Sequence, residues 1–171
     1  MEMETDFSLE TLVYRLSSEK AGFNLVHFRD VTHINTAKAH FWVSISLCDG
    51  EHILLSMVTT GMSRLERLYR EDEDSGERAL DSLVPLSNED LSVISEGCVI
   101  NCNETRCLSS QELIAIIDTE YHSPITGREF DRVHLDNEFS PELKEKIIQA
   151  IVNSPYVKPD VKEAVSNLVF S

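Results

Sequence analysis

Three cysteines and a histidine in the second half of the chain have side chains that can bind zinc. They are Cys98, Cys102, Cys107 and His122, which follow one another at intervals of four, five and fifteen residues. Three thiolates and one imidazole make an accepted tetrahedral zinc set. The sequence lacks the close C-x-x-C pair typical of structural zinc sites, and a double site needs about twice as many ligands. We therefore predict no bound metal and no other cofactor, and keep these four residues as the candidate set for a single zinc ion.

The same residues also suit cysteine-based catalysis. One of the three thiols would act as the nucleophile with His122 as its base, and Asp118 or Glu120 would orient the imidazole. No local sequence signature marks any of the cysteines as reactive. The third interpretation is structural, because reduced cysteines pack as small core residues and a cysteine-poor chain without a secretory signal pattern is expected to be reduced. The residue types favour this structural interpretation, and the zinc and nucleophile hypotheses stay open.

The helix predicted between the cysteines and His122 has its own start signal. Ser109 and Glu112 fit a capping box, in which each side chain accepts a hydrogen bond from the backbone amide of the other residue. The spacing predicts a helix over 109–118 with Leu113, Ile116 and Ile117 on its buried face. Because a helix of about ten residues is marginal in isolation, neighbouring elements must hold it in place.

The first 72 residues are predicted to form a small α+β unit of helix, hairpin and helix. Apolar residues at helical spacing predict the first helix over 6–19. Two β-rich runs flank Asp49-Gly50, a dipeptide that tolerates positive φ at both turn positions, which predicts a hairpin. Residues 62–71 predict the second helix. We find no catalytic constellation in this unit.

A charged stretch at residues 73–82 is predicted to be an acidic linker, because the composition changes there and the dipeptide Ser75-Gly76 favours a loop. Residues 83–154 would form a second domain, and residues 155–171 would add a C-terminal helix. Within the second domain, Ser140-Pro141-Glu142 supplies a cap, a proline at the first helical position and an acid in the first turn. The predicted fold class is therefore α+β throughout.

The charge of the chain restricts its partners. The net charge is −15, from 30 acidic and 15 basic side chains. Such a surface repels phosphate backbones and anionic lipid, so we expect neither nucleic-acid nor membrane partners, whereas a basic protein partner would be attracted. No apolar run approaches the roughly 20 residues that a membrane span requires. The acidic N-terminal residues do not resemble a secretory signal peptide. We expect a soluble, cytoplasmic protein.

The order of features over residues 83–154 resembles a U-box, the metal-free relative of the RING domain in ubiquitin ligases. Val84-Pro85-Leu86-Ser87 is similar to the first loop of the family, and Ser123-Pro124-Ile125-Thr126 is similar to its second loop. The resemblance implies a ββα module. Its elements would be strands at 91–94 and 98–100, a central helix over 109–118 and a C-terminal helix over 140–151.

A U-box performs no covalent chemistry, so the resemblance implies no catalytic residue. The domain would recruit a ubiquitin-conjugating enzyme charged with ubiquitin and promote transfer to a substrate lysine by positioning. The apolar contacts implied for the conjugating enzyme are Val84, Leu86, Ile116 and Pro124. Many U-boxes place a ubiquitin-contacting basic residue where this chain has Gly127, and Arg128 follows one position later. The resemblance therefore implies a ubiquitin-protein transferase in which Arg128 positions ubiquitin.

The layout is also similar to the NleG group of bacterial effectors, which join a variable N-terminal unit to a U-box-like domain. This similarity implies delivery into a host cell and binding of a protein substrate by the N-terminal unit. Two other functions remain open on the sequence. One is a non-enzymatic acidic adaptor or secretion chaperone, which the net charge suits. The other is a cysteine-dependent hydrolase or transferase.

Overall fold

The computed structural model describes residues 8–18, 20–32, 38–47 and 49–168. Within these ranges the protein is α+β, as predicted, with an antiparallel sheet of seven strands and six helices. The strands are β1 (Phe23–Phe28), β2 (His40–Ser46), β3 (His52–Thr59), β4 (Leu83–Leu86), β5 (Cys98–Asn101), β6 (Arg106–Ser109) and β7 (Phe130–His134). Their order is β4-β5-β3-β2-β1-β7, and β6 pairs with β3.

The helices are α1 (Leu9–Leu16), α2 (Met62–Arg70), α3 (Gly76–Leu80), α4 (Ser110–Ile116), α5 (Pro141–Asn153) and α6 (Pro159–Ser166). Several begin at caps that the sequence supplies. Ser8 caps α1, and Ser140 accepts a hydrogen bond from the amide of Leu143 at the start of α5. Among the described residues, no helix combines the length and the apolar character that crossing a membrane would need.

The chain divides into two compact units. The first contains the residues up to Leu55 and Cys107–Asp136. In this unit β1 pairs with β2 on one side and with β7 on the other. All six side chains of β1 are buried, and the Phe28 ring stacks on Phe130 at a centroid distance of 5.9 Å. Both faces of β1 are therefore covered, and the polar residues Asn24 and His27 are buried together with its apolar ones.

The second unit contains Ser56–Arg106 and the residues from Asn137 onward. A buried polar network joins its loops to its helices. The Tyr69 hydroxyl and the Asn101 amide are hydrogen-bonded, and Nδ2 of Asn103 donates to the Ala79 carbonyl at 2.8 Å. Ser154, at the end of α5, donates to Oδ1 of Asn103 at 2.7 Å. The buried polar groups are therefore satisfied within the unit.

These units differ from the predicted domains. The segment predicted as a linker, residues 73–82, contains helix α3, and the Ala79 side chain is completely buried. Gly76 packs so closely that an added Cβ would lie 2.2 Å from the Tyr69 carbonyl oxygen. The chain passes between the units three times, so neither unit coincides with 1–72, 83–154 or 155–171. Strand pairing between distant segments sets the boundaries, and local composition does not reveal it.

The small hairpin also differs from its prediction. The strand that pairs with β5 is β4, with Val84 opposite Ile100 and Leu86 opposite Cys98. Residues 91–94, predicted as the first strand, form a turn in which the Ile94 amide donates to the Leu91 carbonyl at 2.9 Å. The segment 83–86, expected as a loop, is thus the strand.

Candidate functional site

Helix α4 begins as the sequence predicts. The Ser109 hydroxyl accepts a hydrogen bond from the Glu112 amide, and the Glu112 carboxylate accepts one from the Ser109 amide, each at 3.1 Å. The helix is shorter than predicted, because Ile117 leaves it in an extended conformation and forms a β-bridge with Asp30. The Ile116 carbonyl accepts from the Val31 amide at 2.8 Å, which ties the end of α4 to the segment after β1.

Beyond α4 lies a tight loop, residues 123–128, which we call the Pro124 loop. Two of its hydroxyl groups donate hydrogen bonds to one carboxylate of β7. The Ser123 hydroxyl donates to Oδ2 of Asp131, and the Thr126 hydroxyl donates to Oδ1 of the same residue. Asp131 is 3% exposed and Ser123 2% exposed. A buried carboxylate with both oxygens engaged in this way fixes the loop to the sheet.

The backbone of the Pro124 loop is held by a second set of hydrogen bonds. The Gly127 amide donates to the Ser123 carbonyl at 2.7 Å, and the Ser123 amide donates to the Arg128 carbonyl at 2.8 Å. Gly127 has φ +77°, a conformation that costs glycine little. The Ile125 amide donates to the Ser123 hydroxyl at 3.0 Å. These bonds, together with the hydrogen bonds to Asp131, hold the backbone of the loop.

The tip of this ordered loop is apolar. Pro124 is exposed, and the Ile125 side chain is 47% exposed. An apolar tip whose backbone is already held by hydrogen bonds can bind a partner with a smaller loss of backbone entropy. The resemblance to U-boxes placed Ile125 in the second loop beside Pro124, but only Pro124 was named as a contact. In the sequence, Ile125 could be recognised only as an isoleucine that follows a proline within a polar turn.

His27 on β1 lies beneath the loop, opposite Asp131 in the strand register. Its Nδ1 is 3.8 Å from Oδ2 of Asp131 and has no hydrogen-bond partner among the described residues. Desolvation by burial lowers the pKa of His27, and the charge of Asp131 opposes that shift only in part. The lowered pKa favours the neutral form of the imidazole.

The serine, histidine and aspartate of this cluster are not arranged for nucleophilic catalysis. In a catalytic triad the serine hydroxyl donates to the imidazole, whereas the Ser123 hydroxyl donates to Asp131. The Ser123 side chain is also buried, so a substrate cannot reach it. The cluster is a structural support for the Pro124 loop.

The residues predicted for cysteine chemistry occupy separate environments. Cys98 is buried on β5, Cys102 is completely buried, and Cys107 is exposed on β6. Burial raises the pKa of the Cys102 thiol, which opposes formation of a thiolate. Among the described residues, no three His, Cys, Asp or Glu side chains are close enough together to hold a metal ion.

The predicted base and its orienting residues have other partners. Nδ1 of His122 lies 3.3 Å from the Gly127 carbonyl, at the Pro124 loop. Asp118 forms an ion pair with Arg29 at 2.6 Å and accepts a hydrogen bond from the Glu120 amide at 3.0 Å. The Glu120 amide and the Arg29 guanidinium lower the pKa of Asp118. The interactions of Asp118 therefore secure the chain after α4.

Two of the predicted conjugating-enzyme contacts are buried. Val84 is 5% exposed and Leu86 is 4% exposed, because both lie on β4 and pack into the second unit. A side chain in the core cannot contact a partner, so these two residues are corrected to core positions. Pro85 between them is exposed. In the first unit, Ile116 and Arg128 are half-buried and Pro124 is exposed.

Comparison of the chain with protein-family models, with curated proteins and with solved structures found no match.

Proposed function

We propose that this protein is a U-box-type ubiquitin ligase that recruits a ubiquitin-conjugating enzyme through the tip of the Pro124 loop. The observation that supports the proposal is the ordered, exposed pair Pro124 and Ile125, held by the hydroxyl groups of Ser123 and Thr126 on Asp131. Small apolar anchors of this kind supply most of the binding energy of modest interfaces. The U-box resemblance of the loop sequence identifies the partner class.

The proposed activity needs no covalent intermediate between ubiquitin and this chain. The conjugating enzyme arrives with ubiquitin on its thioester, and the ligase holds the pair so that a lysine can attack. Ile116, half-buried at the end of α4, adds to the apolar surface of the same unit. Arg128 closes the Pro124 loop, where its amide donates to the Thr126 hydroxyl at 3.2 Å. Its guanidinium is the candidate contact to ubiquitin.

The charge of the chain suits this partner. Conjugating enzymes present a basic first helix to U-boxes, and this chain has a net charge of −15. Opposite charges accelerate encounter and favour the correct orientation, while the apolar tip provides affinity.

A ligation assay with purified components tests the proposal. The protein is incubated with activating enzyme, ubiquitin and a panel of conjugating enzymes, and ubiquitin conjugates are followed by gel. We expect conjugates with at least one member of the panel. Pro124→Ala and Ile125→Ala should each reduce the rate about tenfold, since a lost apolar contact of about 1.4 kcal/mol corresponds to that factor.

Leu68→Ala is the matched control. Leu68 is 56% exposed on α2, in the other unit, so this variant removes a similar apolar surface from a different place. Its rate should stay within about twofold of the original, because exposed substitutions away from a contact have small effects. The proposal is contradicted if no conjugating enzyme of the panel yields ubiquitin conjugates. It is also contradicted if Leu68→Ala lowers the rate as much as Pro124→Ala and Ile125→Ala do.

A further inference from the structure

A groove of about 540 Å³ runs across the second unit between β4 and α5. Its floor is apolar and consists of Leu83, Val84 and Ala150, all of which are buried, together with the exposed ring of Pro85. The groove shares no residue with the Pro124 loop. It is wide enough for a short stretch of an extended chain, since ligand pockets typically measure about 300–1,000 Å³.

The rim of the groove is acidic. Asp81 stands on the β4 side, and Glu142 and Glu145 project from α5, while Lys146 is the basic residue of the lining. All four side chains are exposed. Within the described part of the chain, none of these carboxylates takes part in an ion pair. Three carboxylates and one ammonium group give the lining a net charge of −2. The guanidinium of Arg78, which donates to the carbonyl of the lining residue Asn153 at 3.4 Å, adds one cation beside it.

The sheet edge beside the groove disfavours strand addition. β4 is the terminal strand in the order of the sheet, so within the described residues one side of its backbone has no strand neighbour. Pro85 lies in the middle of this four-residue strand and has no amide hydrogen to donate. Proline at an edge is a common means of preventing the addition of another strand. An occupant of the groove must therefore be held through its side chains.

We propose that this groove binds a basic segment of a partner protein, in which two Arg or Lys side chains flank a small apolar residue. The apolar residue would lie against the exposed ring of Pro85, and the two cations would face Asp81 on one rim and Glu142 and Glu145 on the other. Exposed carboxylates repel nucleic acid, so the cations must come from a protein. The groove binds its partner whether or not the Pro124 loop recruits a conjugating enzyme.

A second copy of the chain is the competing occupant. Arg64, Arg67 and Arg70 lie on α2 beside the exposed Leu68, so one copy could present a basic apolar helix to another. Each copy has a net charge of −15, however, and long-range repulsion opposes their approach. We therefore assign the groove to a different protein and make self-association one outcome of the test.

The test uses two labelled peptides and the full chain. The basic probe contains Arg-Val-Lys between Gly-Ser flanks, and the neutral probe replaces both cations with glutamine. Binding is measured by fluorescence anisotropy, and the site is located by amide shifts in two-dimensional NMR. We expect the basic probe to bind at least fivefold more tightly than the neutral probe. The largest shifts should fall on Val84, Gln149 and Ala150.

Two variants of equal charge separate the groove from the general acidic field. Glu142→Gln with Glu145→Gln should weaken binding of the basic probe at least fivefold. Glu89→Gln with Glu96→Gln removes two charges from exposed positions of the same unit outside the groove, and should change the affinity less than twofold. Circular dichroism melts confirm that both variants are folded.

Three results would overturn the inference. If the two double variants lose the same affinity for the basic probe, binding is due to the general negative charge of the protein. If the basic and neutral probes bind equally well, the rim carboxylates do not contribute to binding. Light scattering that detects a dimer, which the Glu142 and Glu145 changes dissociate, would assign the groove to a second copy. No ubiquitin component enters these measurements, so they can fail while the ligation assay succeeds, or the reverse.

Discussion

At the scale of single residues, Asp131 determines whether the Pro124 loop is ordered. Its two carboxylate oxygens accept from Ser123 and Thr126 in a buried position. Asp131→Asn replaces one acceptor with a donor that faces a hydroxyl group. Because hydrogen bonds to charged groups contribute about 1.5–3 kcal/mol each, we expect the free energy of unfolding to fall by about 2 kcal/mol. Urea denaturation measures this change.

Asp74→Asn is the control for Asp131→Asn. Asp74 is exposed on the second unit, so its change should alter the free energy of unfolding by less than about 0.5 kcal/mol. If Asp131→Asn proved as mild as Asp74→Asn, the carboxylate would not be the support of the loop.

The burial of His27 predicts a pH dependence of stability. Its pKa is lowered in the folded protein, so the unfolded chain binds the proton more readily. The free energy of unfolding should therefore fall as the pH decreases through the ordinary histidine range near 6.5. His27→Gln removes this group. Urea midpoints measured between about pH 7.5 and about pH 5.5 should decrease less steeply in the variant.

His52 acts in the opposite direction and remains in both proteins. A hydrogen bond to Asp49 raises the pKa of His52, so its contribution to stability is present at low pH and is lost as the pH rises. The difference between the original chain and His27→Gln isolates the buried histidine. Identical pH profiles would contradict the assignment of His27 as the destabilising group.

Sequence reasoning at this scale succeeded where the signal was local. The Ser109 and Glu112 capping box depends on four consecutive residues, and the structure confirms it. Val84 and Leu86 were misassigned because their burial depends on pairing with β5, which local sequence does not specify. Ile125 was placed in the second loop but not among the predicted contacts, because its exposure is a property of the folded loop. The Asp131 network was missed because its donors lie in another segment.

At the scale of secondary structure, the α+β class and most helices were predictable from periodicity and caps. Gly50, in the predicted turn dipeptide, has φ +74°, and β2 and β3 on either side of it are neighbours in the sheet. The division into domains was not predictable, since the charged composition of 73–82 indicated a linker. Helix α3 lies there instead, because Ala79 and Gly76 pack inside the second unit.

Gly76→Ala tests this packing of α3. The added Cβ would lie 2.2 Å from the Tyr69 carbonyl oxygen, so the backbone of α2 or α3 must shift. Overpacking of this kind costs about 1–3 kcal/mol, and thermal denaturation should show a lower midpoint. Gly61→Ala is the control, because the nearest neighbours of its added Cβ would be 3.5 Å away. Gly61 is the N-cap of α2, where alanine is less favourable than glycine, so this change should cost less than about 1 kcal/mol. A linker would tolerate both substitutions equally.

At the scale of the whole molecule, the chain combines an apolar tip in one compact unit with an acidic groove in the other. The two sites share no residue, and each is assigned a partner of its own. The net charge of −15 favours basic partners at both sites and opposes association between copies. Conjugating-enzyme recruitment by the Pro124 loop is the central claim.

A single-turnover discharge assay tests that claim most directly. A conjugating enzyme that is active in the ligation panel is charged with ubiquitin, separated from activating enzyme and mixed with free lysine and this protein. The original chain and Leu68→Ala should accelerate loss of the thioester equally, and Ile125→Ala should lower the acceleration about tenfold. If Ile125→Ala discharged ubiquitin as fast as the original chain, the tip of the Pro124 loop would not be the docking site.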